Sequence, residues 1–139
     1  MTIPWEQLHG AMTHFPIALL LFSTACDFGS LVLGGHFVRE LRTVSFYGLI
    51  VAALGSVGAV VSGIAIAKGD LWGRGDMLRH HQFIWPAFGL LIALSIWRLI
   101  VKDRLSRAGL WIYLGLMFLA SGLMAAAGYF GGELILRGG

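Results

Sequence analysis

Charge is what this chain has least of. Only 12% of its residues are charged, against about 25% in an ordinary soluble domain. The shortage excludes a solvated globular domain. The net charge of +3 falls in the connecting segments, where it speaks to membrane orientation and argues against a nucleic-acid surface. Cysteine is almost missing as well: Cys26 is the only one. An internal disulfide, a Cys-x-x-Cys redox pair and a c-type haem attachment site are all excluded by that count. The opening residues contain Glu6 but no Lys or Arg, so no cleavable signal peptide is expected. No catalytic triad, phosphate loop or nucleophile motif is present, which favours an electron-transfer protein or a subunit over a self-contained enzyme.

Apolar residues supply what charge does not. They make up 58% of the 139 residues, and the mean hydropathy is +0.81. The 20 glycines suit membrane helices, where glycine lets backbones approach closely. Four apolar runs stand out: Phe15 to Leu33, Phe46 to Ala67, Phe83 to Val101 and Leu110 to Phe130. Each is long enough for a hydrocarbon core, which takes about 20 helical residues. In lipid the backbone must satisfy itself, so these runs are read as helices. Short connections at 34–45, 68–82 and 102–109 force neighbours to run antiparallel. The expected fold is all-α, an antiparallel four-helix transmembrane bundle forming one domain over residues 1–139, in contact with the lipid bilayer.

Lys and Arg counts set the expected orientation. Arg39, Arg42, Arg98, Lys102, Arg104 and Arg107 lie at one end, and Lys68, Arg74, Arg79 and Arg137 at the other. The bias places both termini outside, in the periplasm, for a multi-pass protein of a bacterial inner membrane. Trp5, Trp72, Trp85 and Tyr129 would form one aromatic belt, with Tyr47, Trp97, Trp111 and Tyr113 forming the other. Small residues repeat every four positions at Gly55, Ala59 and Gly63 on the second span. Gly122 and Ala126, then Gly128 and Gly132, do so on the fourth. Such faces serve close helix packing, and a homo-oligomer is one use for them.

Four of the five histidines fall at the outer end. His9 and His14 open the first span, and His80 and His81 open the third. In an antiparallel bundle these starts share one membrane level. Polar groups facing a bundle interior in a membrane are functional candidates. Two imidazoles from facing helices can hold a haem iron from both sides. The preferred cofactor and metal ligands are His14 with His81. His14 precedes Phe15 and Pro16, and proline suits a first helical turn. Pro86 is expected to kink the third helix near His81. His9 is the rival of His14, about 140° away around a continuous helix, and His80 the rival of His81, about 100° away.

Several other residues bear on the site. Met12 and Met77 lie at the same level and are read as packing. A zinc site using Glu133 would need about four ligands, and no His-x-x-x-His spacing supports it. Arg74, Arg79 or Arg137 could neutralise haem propionates. Glu133 and Arg137 are four apart, an ion-pair spacing on a helix, although Gly131-Gly132 suggests that the last helix ends there. His36 is a solvated loop residue. Asp27, about 20 Å along the helix from His14, is read as a neutral, hydrogen-bonded group locking the helices, with a proton or quinone site as the alternative.

The stretch His9-Gly-Ala-Met-Thr-His14-Phe15-Pro16-Ile17-Ala18-Leu19 resembles the opening motif of a bacterial family of small predicted membrane proteins, domain of unknown function 2231. That family reads His-Pro, a spacer, then His-Phe-Pro-Ile-Ala-Leu. A histidine near the start of the third helix and a closing Gly-Gly-Glu-Leu-x-x-Arg-x-Gly are its other marks. Here these match His80 or His81, and Gly131 through Gly138. The resemblance covers nearly the whole chain. This sequence has Gly10 where the family has proline, which implies a looser turn after His9. The family's members look like b-type cytochromes, and some are fused to or paired with redox proteins. The resemblance therefore implies non-covalent haem b, with a redox protein or quinone as partner and no nucleic acid. A cofactor-free anchor or assembly subunit of a larger redox complex is the competing expectation, and a metal or small-solute transporter a third.

Overall fold

The computed structural model describes residues 4–102 and 104–137, with the side chains of Ile135 and Arg137 excepted. Four helices follow in order: α1 Trp5–Val32, α2 Phe37–Ile66, α3 Asp76–Val101 and α4 Arg107–Arg137. Each is long and apolar enough to cross a membrane. The connections are shorter than the sequence suggested, because the helices run on past their apolar runs into polar ends. α1 stops where Gly34 and Gly35 adopt φ of 62° and 66°, a left-handed backbone that glycine adopts without a Cβ clash.

Two local expectations are corrected. α1 begins about three turns before Phe15, so Pro16 lies in the helix interior and Gly10 is helical; there is no turn after His9. α4 continues through Gly131 and Gly132 to Arg137, because a helix leaving a bilayer still satisfies its own backbone. Pro86 lies inside α3.

α1 packs along α2 and α3 along α4, while the two hairpins meet less closely and the diagonal pairs α1–α3 and α2–α4 keep their backbones apart. The solvent preference is inverted relative to a soluble bundle. Phe22, Leu54, Ile100, Ile112 and Phe118 point outward, while Ser23, Thr24, Ser45, Ser56, Ser62, Ser95 and Ser121 are buried. A lipid environment rewards that arrangement, since small and polar residues drive helix contact where hydrophobicity alone cannot. Tyr113 is 1% exposed, so it belongs to the interior and not to an aromatic belt. A middle layer of Leu20, Leu49, Ala87 and Met124, one per helix and all buried, closes the bundle at half height.

Beneath that layer lies an ion pair. Arg98 Nη2 donates to Asp27 Oδ1 at 3.3 Å and Nη1 to Oδ2 at 3.5 Å. Asp27 is 1% and Arg98 2% exposed. The carboxyl therefore locks helices together, as expected, but against a guanidinium and not as a lone hydrogen-bonded group. Arg98 also donates to the Arg42 carbonyl of α2, so this one side chain ties α3 to both helices of the first hairpin.

Removing one partner of a buried pair strands the other in the bundle, at a cost of about 3–5 kcal/mol. Asp27→Ala and Arg98→Ala should each unfold far more easily in denaturing detergent than the parent. Asp27→Leu combined with Arg98→Met should cost much less than the two single losses summed. Equal, additive losses would show that the groups do not interact. In the α2–α3 connection, Asp70 Oδ1 accepts from the backbone N–H of Trp72 at 3.0 Å and of Gly73 at 2.8 Å. These bonds hold its carboxyl below the usual carboxylate range. They order the loop at neutral pH and are lost as the pH falls through that lowered value. Asp70→Ala should speed amide exchange at Trp72 and Gly73 at pH 7 and abolish its acid dependence.

Candidate cofactor site between two histidine pairs

Because α1 and α3 are diagonal and begin at the same end, their first turns face each other across the bundle axis. The weaker meeting of the two hairpins leaves a cavity of about 240 Å³ there. His9 and His14 of α1 and His80 and His81 of α3 all line it, among apolar walls that include Ile84 and Met124. The four histidines singled out from sequence thus share one space.

Their hydrogen bonds separate them. His80 Nδ1 lies 2.8 Å from the Ala127 carbonyl of α4. A carbonyl only accepts, so Nδ1 donates and the ring's remaining basic nitrogen is Nε2. His9 Nδ1 lies 2.9 Å from both the Ala59 carbonyl and Ser62 Oγ of α2. The Ser62 hydroxyl itself donates to the Ala59 carbonyl. His9 therefore donates from Nδ1 too and keeps Nε2 basic. His14 donates from Nδ1 to the Gly10 carbonyl of its own helix and is exposed. His81 Nδ1 is buried without a hydrogen-bond partner, with its ring 5.6 Å from His80 and 6.1 Å from Trp85.

Small residues make room for the two anchored rings. A Cβ at Gly63 would stand 3.0 Å from His9 Cε1, and one at Gly131 would stand 3.1 Å from His80 Nδ1. A Cβ at Gly55 would stand 3.1 Å from Pro16 Cγ. The Gly55-Ala59-Gly63 face is therefore the bed on which α1 rests, and Ala59 supplies the carbonyl that orients His9. The repeat every four residues was visible in sequence. Its role in seating an imidazole was not, because the facing helix was unknown.

The remaining candidates stand apart. Arg79 forms a loose pair with Asp76 at 3.7 Å, with its side chain 63% exposed, and neither Arg79 nor Arg74 lines the cavity. The side chain of Arg137, and with it the Glu133–Arg137 pairing, lies outside the described residues. Met12 packs against Gly58 and Met77 against Gly73. His36 sits before α2, its ring tilted against Phe37 with centroids 4.0 Å apart. Among the described residues, no three His, Cys, Asp or Glu side chains converge as a metal-binding group.

Two imidazoles on diagonal helices, His9 and His80, are each bonded at Nδ1 to a main-chain carbonyl and basic at Nε2. The carbonyl bond fixes ring orientation and raises the basicity of the other nitrogen. No curated protein and no solved structure matches the chain. A family model described as "Predicted membrane protein (DUF2231)" matches residues 6–139. With that match over nearly its whole length, the chain belongs to the DUF2231 family of predicted membrane proteins.

Proposed function

We propose that this protein is a small membrane b-type cytochrome that carries electrons through one non-covalent haem b, held between α1 and α3 at the histidine end. The observation that carries the reading is the pair of Nδ1–carbonyl bonds on His9 and His80, two cavity residues on diagonal helices. They favour His9 with His80 over His14 with His81 as the residues that would hold the haem. Neutral imidazoles and apolar walls suit a haem iron, whose redox chemistry the group itself supplies when bound.

The chain's own residues orient the ligands and keep water from the iron. The cavity is below the about 300–1,000 Å³ usual for ligand pockets, so a macrocycle needs the loosely joined hairpins to part further. His14 and His81 then flank the group; His14 faces outward and can hydrogen-bond a propionate or the polar head of a partner. The electron partner is a redox protein or quinone at that end. The histidine end faces the periplasm of a bacterial inner membrane, because the other end carries more Lys and Arg.

The protein purified in mild detergent, with haem supplied during expression, should give a sharp b-type reduced-minus-oxidised spectrum. His9→Ala and His80→Ala should abolish it, whereas His14→Ala should retain it. A colourless folded protein would leave the cofactor-free anchor as the reading. A spectrum lost in His14→Ala and His81→Ala but kept in the other two would transfer ligation to the second pair.

Gly63→Ala and Gly131→Ala crowd the His9 and His80 rings and should each weaken haem retention about tenfold, the lower bound for disturbing a ligand's outer support. Gly122→Ala, where a Cβ meets open space, should leave haem retention unchanged. Equal haem retention in all three variants would contradict the seating described here.

A further inference from the structure

The other half of the bundle holds a second polar centre that the histidine cavity does not use. Four buried side-chain atoms there have no hydrogen-bond partner: Ser23 Oγ, Ser45 Oγ, Arg98 Nε and Tyr113 Oη. One comes from each helix. Their residues are 0%, 0%, 2% and 1% exposed. Asp27, on the same turn-and-a-bit of α1 as Ser23, interacts with Ser45, Tyr113 and Arg98, and the Arg98 guanidinium lies 5.2 Å from the Tyr113 ring centroid. Buried polar atoms in native proteins find partners, and where side chains do not supply them, bound water does. Hydrocarbon makes the requirement stricter.

We propose that the Asp27–Arg98 centre is a water-binding site, in which ordered water bridges Ser23, Ser45, Tyr113 and Arg98 Nε and hydrates the ion pair. Access runs from the arginine end only. Arg42 lines a depression on that surface with Gly35, His36 and Arg39. From there Arg42 Nε reaches Ser30 Oγ at 3.4 Å, Ser30 donates to the Asp27 carbonyl, and the Arg42 carbonyl accepts from Arg98. Toward the histidine cavity the layer of Leu20, Leu49, Ala87 and Met124 is buried and offers water no hydrogen-bonding partner. Water therefore enters a charged half-bundle from one side and stops at that layer. The charge composition fits that ligand. The carboxylate and guanidinium cancel, so the remaining hydroxyls and Nε–H want a neutral donor–acceptor and not an ion.

The test is nuclear magnetic resonance on the full chain in nanodiscs, labelled with ¹⁵N-arginine. Magnetisation transfer from water to the Arg98 Nε–H is read in the parent and in Ser45→Leu, whose side chain fills the proposed site and leaves Asp27 and Arg98 in place. The expected result is a clear water cross-peak in the parent that falls several-fold in the variant. Should Ser45→Leu fail to fold, Ser45→Val is read in its place. No water transfer to Nε–H in the folded parent overturns the proposal. So does a cross-peak that the filled variant leaves unchanged, because the water would then lie elsewhere.

Discussion

A hydrocarbon solvent accepts no hydrogen bonds, and each polar group inside this bundle is placed under that constraint. It explains why serines are buried and phenylalanines face outward. It explains why the helices continue through prolines and paired glycines that would end a helix in water. It also explains why His9 and His80 reach across to carbonyls of neighbouring helices, where a solvated histidine would bond to water. The glycine bed on α2 and the glycines of α4 bring backbone close enough for those bonds to form.

The constraint divides the molecule into two polar centres with an apolar floor between them. One is a cavity with four imidazoles and no neighbouring carboxylate among its lining residues. The other is an ion pair ringed by hydroxyls. The Nδ1–carbonyl bonds of His9 and His80 leave Nε2 as the basic position of each ring. A proton path crossing the whole bundle would need the apolar layer between the two centres to be polar.

Much of this was legible in the sequence, for reasons that differ by feature. The four spans follow from apolar length alone. Antiparallel order follows from short connections, and it brings both histidine pairs to one level before any coordinates are seen. What sequence could not supply was rotation. His9 and His14 are five residues apart, and which of them faces a carbonyl depends on where α1 rests on α2. Starting the first span at Phe15, ten residues after the helix begins, put His14 at the membrane entry and favoured it over His9. Asp27 and Arg98 are 71 residues apart, and no local pattern joins them. Arg98 reads as one more cation at the end of the third span until the turn of α3 is known, and then it is the partner of the one buried carboxylate described in α1.

Main-chain carbonyls hold His9 and His80 as Nδ1–H tautomers, with Nε2 left as the basic nitrogen. ¹⁵N-histidine resonance of the haem-free protein in lipid nanodiscs reads this directly, with the four rings assigned by single His→Gln replacements. Two rings, His9 and His80, are predicted to be neutral at pH 7 with the proton on Nδ1. An Nε2–H tautomer or a charged imidazolium at either position would contradict the account.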